Sequence, residues 1–354
     1  MDADTKEPVI GANVYLNGTT MGAATDKQGM YSIQTRNRIH TQLIISYIGY
    51  EKTMIDNPFD SLPDTIYIKE SDFKLGEVTV KGRPTFSEKQ KMKAFNEQFL
   101  GTSIAAHSCK ILNEKDIKLV YDAEKNTLNG YANVPIVVVN RYLGYKVLWE
   151  LMEFTLLLND KKSLHPSNVA FVSIVGTASF EDISNARGES VYLNREMTYH
   201  FSRNRFFHLL ANNQLYESNI KLYDYAPKGK KLGSPYSFSK WFEITTDSTD
   251  ESIINIALNP EQKDSLGITS IVVATVKPNE TKGVNSIFAQ MMEIRFTTSS
   301  SSIFHFLTDT FSVDYYGNTD MIKNLIIDGS MGLHRVSNQL PLDYLPPKIG
   351  ITIY

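Results

Sequence analysis

The sequence is poor in the residues that build covalent cross-links and metal sites. It contains one cysteine, Cys109, and two tryptophans in 354 residues. A single cysteine cannot form an intramolecular disulfide, and by itself it cannot build a structural zinc site. The fold must therefore be held together by its hydrophobic core, and the cysteine gives no firm indication of the cellular compartment.

A marked excess of charge of either sign is also missing. The chain has 36 basic and 39 acidic residues, which gives a formal net charge of -3. It therefore lacks the positive field that non-specific binding to nucleic acid or anionic lipid requires. No run approaches the roughly 18 apolar residues of a membrane-spanning helix. We predict no nucleic-acid partner and no transmembrane segment in this chain.

The motifs of several common reaction centres are absent. None of the seven histidines is followed three residues later by glutamate, so the His-x-x-Glu zinc pair is missing, and so is His-Glu-x-x-His. The phosphate-binding pattern Gly-x-x-x-x-Gly-Lys-Ser/Thr does not occur either. We therefore predict no catalytic residues, no metal ligands and no cofactor.

The first eighty or so residues have the pattern of a small β-sandwich. Residues 7–16 end in an alternating strand, and Asn17-Gly18 supplies residue types that tolerate positive φ in a tight hairpin turn. A second turn at residues 25–29 leads into a strand at residues 30–33. Residues 43–50 form an apolar run typical of a buried strand. Short strands at this spacing predict a sandwich.

These residues resemble the carboxypeptidase regulatory-like (transthyretin-like) family of β-sandwich domains. The resemblance implies a non-catalytic module over about a quarter of the chain. It also implies a place in the bacterial cell envelope, because the same module precedes the plug and barrel of many TonB-dependent outer-membrane receptors, although here no plug or barrel follows. The matching motifs are Pro8, Gly11-Ala12, Thr25-Asp26, Gly29, Tyr47-Ile48-Gly49-Tyr50 and Leu75-Gly76-Glu77-Val78-Thr79-Val80.

One departure from this family concerns the start of the domain. A strand of the form Gly-x-Val-x-Asp normally opens it, but Met1 stands where that strand should already be ending. We therefore expect that the first strand is truncated in this sequence, and that the natural product carries upstream residues with an export signal. Intact cellular protein that began at Met1 by mass spectrometry would contradict this expectation.

After a Gly- and Pro-containing linker at residues 81–84, the sequence predicts a helix. Ser87 and Gln90 form a Ser-x-x-Gln capping box, which marks a helix start. Apolar residues then follow at helical spacing, and a glycine can end the helix in the left-handed conformation. The apolar stripe and the terminating glycine are Met92, Phe95, Phe99 and Gly101.

The remainder has mostly antiparallel β patterns, for which a meander is the simplest topology, and a helix from about Ser202. We predict a mainly β chain, with a β-sandwich N-terminal domain and an α+β, mostly antiparallel remainder. Its parts are a sandwich at 1–82, an α+β domain at 83–227 and a β-rich region at 235–354, with a linker at 228–235. The predicted strands are 117–121, 128–132, 134–139, 143–158, 169–180, 241–246, 253–258, 268–276, 291–297 and 303–316.

Three groups of side chains suggest chemistry, and each has a simpler explanation. Ser330 lies in Asp-Gly-Ser-Met-Gly, which lacks the first glycine of a nucleophile elbow, so a turn fits better. His107 and Cys109 would share a face of a strand, but a lone cysteine beside apolar residues is more often a small buried hydrophobe. His200 and His208 would align on one unbroken helix. The apolar neighbours of His208 instead predict an imidazole at the edge of the core.

Two features bear on partners. The basic run at residues 228–231 lacks interleaved aromatics and predicts a solvated loop. Nineteen tyrosines could form a glycan-binding face, or simply pack in a β-rich fold. The leading hypothesis is a non-catalytic binding or scaffolding protein of the periplasm or outer membrane, with an envelope protein or polysaccharide as partner. The alternative is a glycosidase-like hydrolase, since two carboxylates leave no short motif.

Overall fold

A computed structural model describes residues 1–71, 85–184, 188–215, 218–225, 236–259, 263–275, 300–321 and 324–346. The chain forms two compact units. Unit 1 comprises residues 1–35, 41–192 and 335–341, and unit 2 comprises residues 36–40, 193–334 and 342–354. Both predicted domain boundaries, after residue 82 and at residues 228–235, fall in segments outside the described residues, so the three-part division stays a prediction.

The N-terminal part of unit 1 contains a four-stranded antiparallel sheet. Its strands are β1 (Asn13–Leu16), β2 (Gly22–Ala24), β3 (Leu43–Ser46) and β4 (Thr53–Ile55), in the order β2-β1-β3-β4. The predicted hairpin at Asn17-Gly18 is confirmed, with Gly18 at a φ of 75°. Residues 30–33, predicted as a strand, form none, because they pair with no strand in the described part of the chain.

The two central strands of this sheet are buried on both faces. Side chains of paired residues alternate between the two sides of a sheet. Val14 is paired with Ile45, and Leu16 with Leu43, so these four side chains share one face. Tyr15 lies opposite Ile44 on the other face, and both are buried as well. Other parts of the protein therefore cover both faces of this sheet.

The predicted helix is present as α1 (Glu88–Phe99). The Ser87 side chain accepts from the Gln90 N–H, the Gln90 side chain reaches back to Ser87, and Gly101 has a φ of 89°. The completely buried Phe95 and Phe99 form the predicted apolar stripe. Their rings lie 4.6 Å from Phe154 and 5.7 Å from Trp149, so the helix packs on the second sheet.

The second sheet of unit 1 has six strands. They are β5 (Cys109–Ile111), β6 (Ile117–Asp122), β7 (Thr127–Ala132), β8 (Ile136–Asn140), β9 (Tyr145–Leu158) and β10 (Val169–Asp182), and α2 (Ile104–His107) precedes them. The predicted meander is wrong at one place: β7 and β8 do not pair with each other but both pair with β9. The reason is length, because the 14 residues of β9 offer one pairing segment to β8 and another to β7.

Unit 2 contains two antiparallel sheets, ordered β11-β14-β15-β17 and β12-β13-β16. The predicted segment 303–316 is two strands separated by a turn. The predicted strand 291–297 lies entirely outside the described residues. The mainly β, mostly antiparallel fold class is confirmed. The elements are α3 (Gly188–His200), α4 (Arg203–Ala211), β11 (Ile220–Asp224), β12 (Phe242–Thr246), β13 (Ile254–Leu258), β14 (Thr269–Thr275), β15 (Ser300–Phe306), β16 (Thr310–Val313) and β17 (Leu325–Gly329).

The core of unit 2 is rich in phenylalanine. The predicted helix from Ser202 is confirmed as α4, whose Ser202 side chain accepts from the Arg205 N–H. Its buried Phe206 and Phe207 rings lie 5.1 Å and 5.9 Å from Phe304. Helix α4 thus anchors one face of the first sheet of unit 2. The weakly amphipathic α3 was not predicted, because its apolar residues do not form a clear stripe.

Replacing Ser87 with alanine should destabilise unit 1 by about 1 kcal/mol, because it leaves the Gln90 N–H of α1 without its side-chain acceptor. The measurement is urea unfolding followed by Trp149 fluorescence in a Trp241→Phe background, since Trp149 contacts α1 through Phe99. Ser61→Ala, in an exposed loop, is the matched control. Equal midpoints for the two alanine variants would contradict the role of the cap.

Candidate functional site

A cavity of about 650 Å³ lies within the N-terminal domain. Its apolar floor is one face of β1 and β3, formed by Val14, Leu16, Leu43 and Ile45, each no more than 5% exposed. The facing wall comes from irregular segments between residues 28 and 35 and between residues 58 and 68. A volume within the range of roughly 300–1,000 Å³ is typical of pockets that bind small molecules.

The polar groups of this cavity suit binding better than catalysis. Among the described lining residues only Asp64 carries a carboxylate, whereas glycoside hydrolysis needs two. The Thr25 hydroxyl is already engaged, since it donates to the Val9 carbonyl at 2.6 Å and accepts from the Ala12 N–H at 2.8 Å. The cavity can therefore hold an apolar group but offers no acid–base pair.

The residues of the recognised motifs fix loops around this cavity. Asp26 accepts from the N–H groups of Gln28 and Met30 and so closes the 25–29 turn. Asp2 accepts from the Thr5 N–H at 2.7 Å and from the Tyr50 hydroxyl at 2.7 Å. These bonds lower the pKa of Asp2 and raise that of Tyr50 to about 12. Asp26 and Tyr50 thus serve the framework of the domain, whereas the motif at residues 75–80 lies outside the described residues.

The other face of β1 lies against the second sheet of unit 1. The turn at residues 17–19 runs beside β10: the Gly18 N–H donates to the Ala178 carbonyl at 2.6 Å, and the Phe180 N–H donates to the Thr19 carbonyl at 2.9 Å. The Asn17 side chain accepts from the Ala178 N–H at 2.9 Å. Thr19 is completely buried. The domain is therefore joined to β10 through its backbone.

Four side chains form a hydrogen-bonded network beside this junction. The Lys52 ammonium lies 2.9 Å from Glu150 Oε2 and 3.3 Å from Thr177 Oγ1. The Tyr15 hydroxyl donates to Glu150 Oε1 at 3.1 Å and lies 2.9 Å from Thr177 Oγ1. Burial and the Glu150 carboxylate raise the pKa of Tyr15. Because Lys52 and Glu150 are only 21% and 13% exposed, each charge depends on the other.

Ser330 and Cys109 both lack the setting of a nucleophile. The Ser330 hydroxyl lies in a turn, donates to the Ser301 carbonyl at 2.8 Å and meets the Ser300 hydroxyl at 2.7 Å, so it holds that turn to β15. His107 ends α2 whereas Cys109 begins β5, so they do not share a strand. Burial raises the pKa of Cys109 to about 12, which disfavours the reactive thiolate.

The two histidines of the helical region lie on separate helices. His200 ends α3 and His208 belongs to α4, so the single unbroken helix is not formed. His208 Nδ1 lies 3.0 Å from the Tyr315 carbonyl, as expected for an imidazole at the edge of a core. His200 Nε2 lies 3.1 Å from the Asn219 amide. Burial, with the nearby Arg205, lowers the pKa of His200 to about 3.

Sequence reasoning missed one group of reactive residue types in unit 2. Ser270 Oγ lies 2.8 Å from His305 Nδ1, and His305 Nε2 lies 3.4 Å from Asp328 Oδ2. The three residues come from β14, β15 and β17, so they form no local motif from which the sequence could predict the group. Ile271, which follows Ser270, is paired on both sides of β14, so its N–H is committed to the sheet rather than to an oxyanion.

The buried Asp314 is also accounted for by local structure. Its carboxylate accepts from the N–H groups of His40, Tyr316 and Asn318 and from the Asn318 amide. Burial raises the pKa of Asp314, while these donors act in the opposite direction. The carboxylate therefore organises the turn before Gly317, whose φ is 85°.

The described part of the chain contains neither a cluster of metal-ligating side chains nor a membrane-spanning helix. Within it, no three His, Cys, Asp or Glu side chains lie close enough together to hold a metal ion. No helix there has both the length and the apolar character needed to cross a bilayer.

The fold and the cavity define a mainly β chain whose N-terminal domain is a small antiparallel β domain. Residues 1–80 match the CarboxypepD_reg-like domain family. The chain therefore contains a carboxypeptidase regulatory-like domain, as the sequence motifs indicated. No curated protein sequence and no solved structure is significantly similar to this chain.

Glu150→Ala should destabilise unit 1 by about 2–3 kcal/mol, because it leaves the Lys52 ammonium without its carboxylate partner in a largely buried position. The double change Glu150→Leu with Lys52→Met should destabilise unit 1 by less than the sum of Glu150→Leu and Lys52→Met made singly, because it removes both charges. Urea unfolding measures both. Additive effects would show that the two charges do not depend on each other.

Unit 2 should lose stability on acidification because of His200. Its folded pKa lies below the value of about 6.5 in the unfolded chain, so the unfolded state binds more protons as the pH falls below that value. Above about pH 6.5 His200 is neutral in both the folded and the unfolded state, so it does not reduce the free energy of unfolding. At pH 5 the free energy of unfolding of unit 2 should be lower by about 2 kcal/mol.

The measurement is urea unfolding at pH 7 and pH 5, followed by Trp241 fluorescence in a Trp149→Phe background, since Trp241 is buried in unit 2. His200→Gln retains an acceptor for Asn219 and does not titrate, so it should lose less stability between the two pH values. Equal losses in both proteins would exclude His200 as the source.

Proposed function

We propose that this chain is a non-catalytic binding protein of the cell envelope, and that it binds a protein partner in the cavity of its carboxypeptidase regulatory-like domain. The observation that carries the proposal is the cavity itself, with its continuous apolar floor formed by Val14, Leu16, Leu43 and Ile45. A wall of irregular segments faces this floor, which gives a ligand a route of entry that a second flat sheet would close.

The chemistry of the lining favours a protein segment over a polysaccharide. Polysaccharides need several convergent hydrogen-bonding groups beside an aromatic surface. The floor here carries only aliphatic side chains, the aromatic Tyr31 and Phe59 belong to the facing wall, and the Thr25 hydroxyl is engaged with the backbone. An apolar side chain of a partner would gain free energy by leaving water, at about 25 cal/mol for each Å² buried. Exposed Met30 and Leu62 at the cavity extend this apolar surface.

The firm attachment of the domain supports a scaffolding role. Backbone hydrogen bonds to β10 and the Lys52–Glu150 pair hold the domain against the second sheet. The cavity lies on the opposite face of β1 from this junction, because Val14 and Leu16 point away from Tyr15. The domain can therefore bind a partner without giving up its attachment. The envelope location is part of the proposal and rests on the kinds of protein in which such domains occur.

Filling the cavity should weaken the binding of an apolar probe. The probe is 1-anilinonaphthalene-8-sulfonate, which fluoresces in apolar cavities. The full chain should bind it saturably, and Ala12→Leu, which adds a larger side chain to the lining, should weaken binding at least several-fold. The matched control, Ala24→Leu at an exposed position on β2, should bind as the unchanged chain does. Equal binding by both variants would place the dye elsewhere.

The partner can be identified in the cells that produce the protein. A photoreactive benzoylphenylalanine in place of Leu62, an exposed cavity residue, should cross-link to a defined envelope protein. The same group in place of the exposed Leu333 should not, and Ala12→Leu should abolish the product. Cross-linking that persists in the filled variant, or that occurs equally from position 333, would overturn the proposal. Fractionation of the same cells tests the location.

A further inference from the structure

Strand β10 is an edge strand whose two halves differ. Its second half contacts the N-terminal domain, since the Ala178 carbonyl and the Phe180 N–H form hydrogen bonds with the turn at residues 17–19. Alternate backbone groups of a strand point the same way, so the corresponding groups of Val172, Ile174 and Gly176 point along the same edge. In the part of the chain that the structure describes, residues 170–176 pair only with β9.

This free edge carries neither the charged residues nor the proline that normally protect a strand from pairing, and its two register shifts, at Val169/Phe171 and Val175/Gly176, lie at the ends of the free segment. Natural edge strands carry charged residues or proline, which prevent another strand from adding to the sheet. The run Val-Ala-Phe-Val-Ser-Ile-Val-Gly-Thr-Ala-Ser-Phe at residues 169–180 has no charged residue and no proline. It is rich in β-branched and aromatic residues, which favour strands. The edge is therefore well suited to accept another strand.

An apolar patch lies beside the free edge. Phe171 and Val175 of β10 are 59% and 44% exposed, and Leu157, which pairs with Phe171, is 37% exposed. Thr177, two residues beyond Val175, lies on the same face but is covered by Tyr15 and Lys52 of the N-terminal domain. The patch is thus the uncovered continuation of a surface that already forms an interface within unit 1.

We infer that two copies of this chain associate by antiparallel pairing of β10 with β10 along residues 169–176. A twofold axis places the same strand on both sides, so each copy offers the other an uncharged, β-rich edge. No register of this pairing sets like charges opposite each other, because the segment has none. The paired strands form one continuous sheet, and the side chains of Phe171 and Val175 from both copies cover one another.

The second copy is a better occupant than a charged peptide. The segment offers no charge to pair with a lysine or a carboxylate, whereas the apolar side chains of a second β10 gain free energy by leaving water. The N-terminal domain shows how the edge accepts backbone partners, because residues 17–19 already bond to it at Ala178 and Phe180. The same edge continues into residues 169–176.

Ser173 provides the test because it lies near the centre of the free segment, closest to the twofold axis. Analytical ultracentrifugation of the full chain should show a concentration-dependent dimer. Ser173→Lys and Ser173→Glu should each be monomeric, since each sets like charges near one another across the axis. Mixing the two variants should restore a dimer through opposite charges. The matched control Tyr131→Lys, at an exposed position on β7 of the same sheet, should remain dimeric.

Each outcome decides the inference. A chain that is monomeric at every concentration overturns it, whether or not an extended peptide binds this edge. Dimers that persist equally in Ser173→Lys and Tyr131→Lys also overturn it, because the interface would then lie elsewhere. Hydrogen exchange adds an independent measurement: the amides of residues 172 and 174 should exchange more slowly in the dimer than in the Ser173→Lys monomer. Circular dichroism that matches the unchanged chain excludes unfolding as the cause.

Discussion

The burial of strand β1 on both faces is the constraint on which unit 1 depends. One face of β1 supplies the floor of the cavity, and the other places Tyr15 against Glu150 and Thr177 of the second sheet. A strand with only one covered face would tolerate a polar residue at every second position, but here Val14, Tyr15 and Leu16 are all at most 5% exposed. A change at this strand therefore acts on the cavity, the junction or both.

The Lys52–Glu150 pair selects one docking position for the N-terminal domain at that junction. Backbone bonds between residues 17–19 and β10 would accept any short segment with free donors and acceptors. The buried pair adds the requirement that one ammonium and one carboxylate meet with the Tyr15 and Thr177 hydroxyls beside them. Any other docking position would leave a charge buried without its partner, which costs several kcal/mol. The Lys52–Glu150 ion pair thus determines the position of the N-terminal domain on the second sheet of unit 1.

Local signals predicted the candidate site only in part. The 17–18 turn was predicted from Asn17 and Gly18. Its bonds to Ala178 and Phe180 join residues 160 and 161 positions apart, and no local sequence pattern indicates them. The cavity arises where residues 30–33 were expected to pair and do not. The cluster of Ser270, His305 and Asp328 was missed for the same reason, since three strands bring these residues together.

The sequence by itself determined the elements that short-range physics controls. Capping at Ser87 and Ser202, the helical spacing of Phe95 and Phe99 and the 25–29 turn closed by Asp26 each depend on neighbours a few positions away. Only the tertiary structure decided that β7 and β8 share one edge of β9 and that, among the described residues, half of the outer edge of β10 has no strand partner. Strand pairing depends on length and on long-range competition for backbone partners, which a local pattern does not contain.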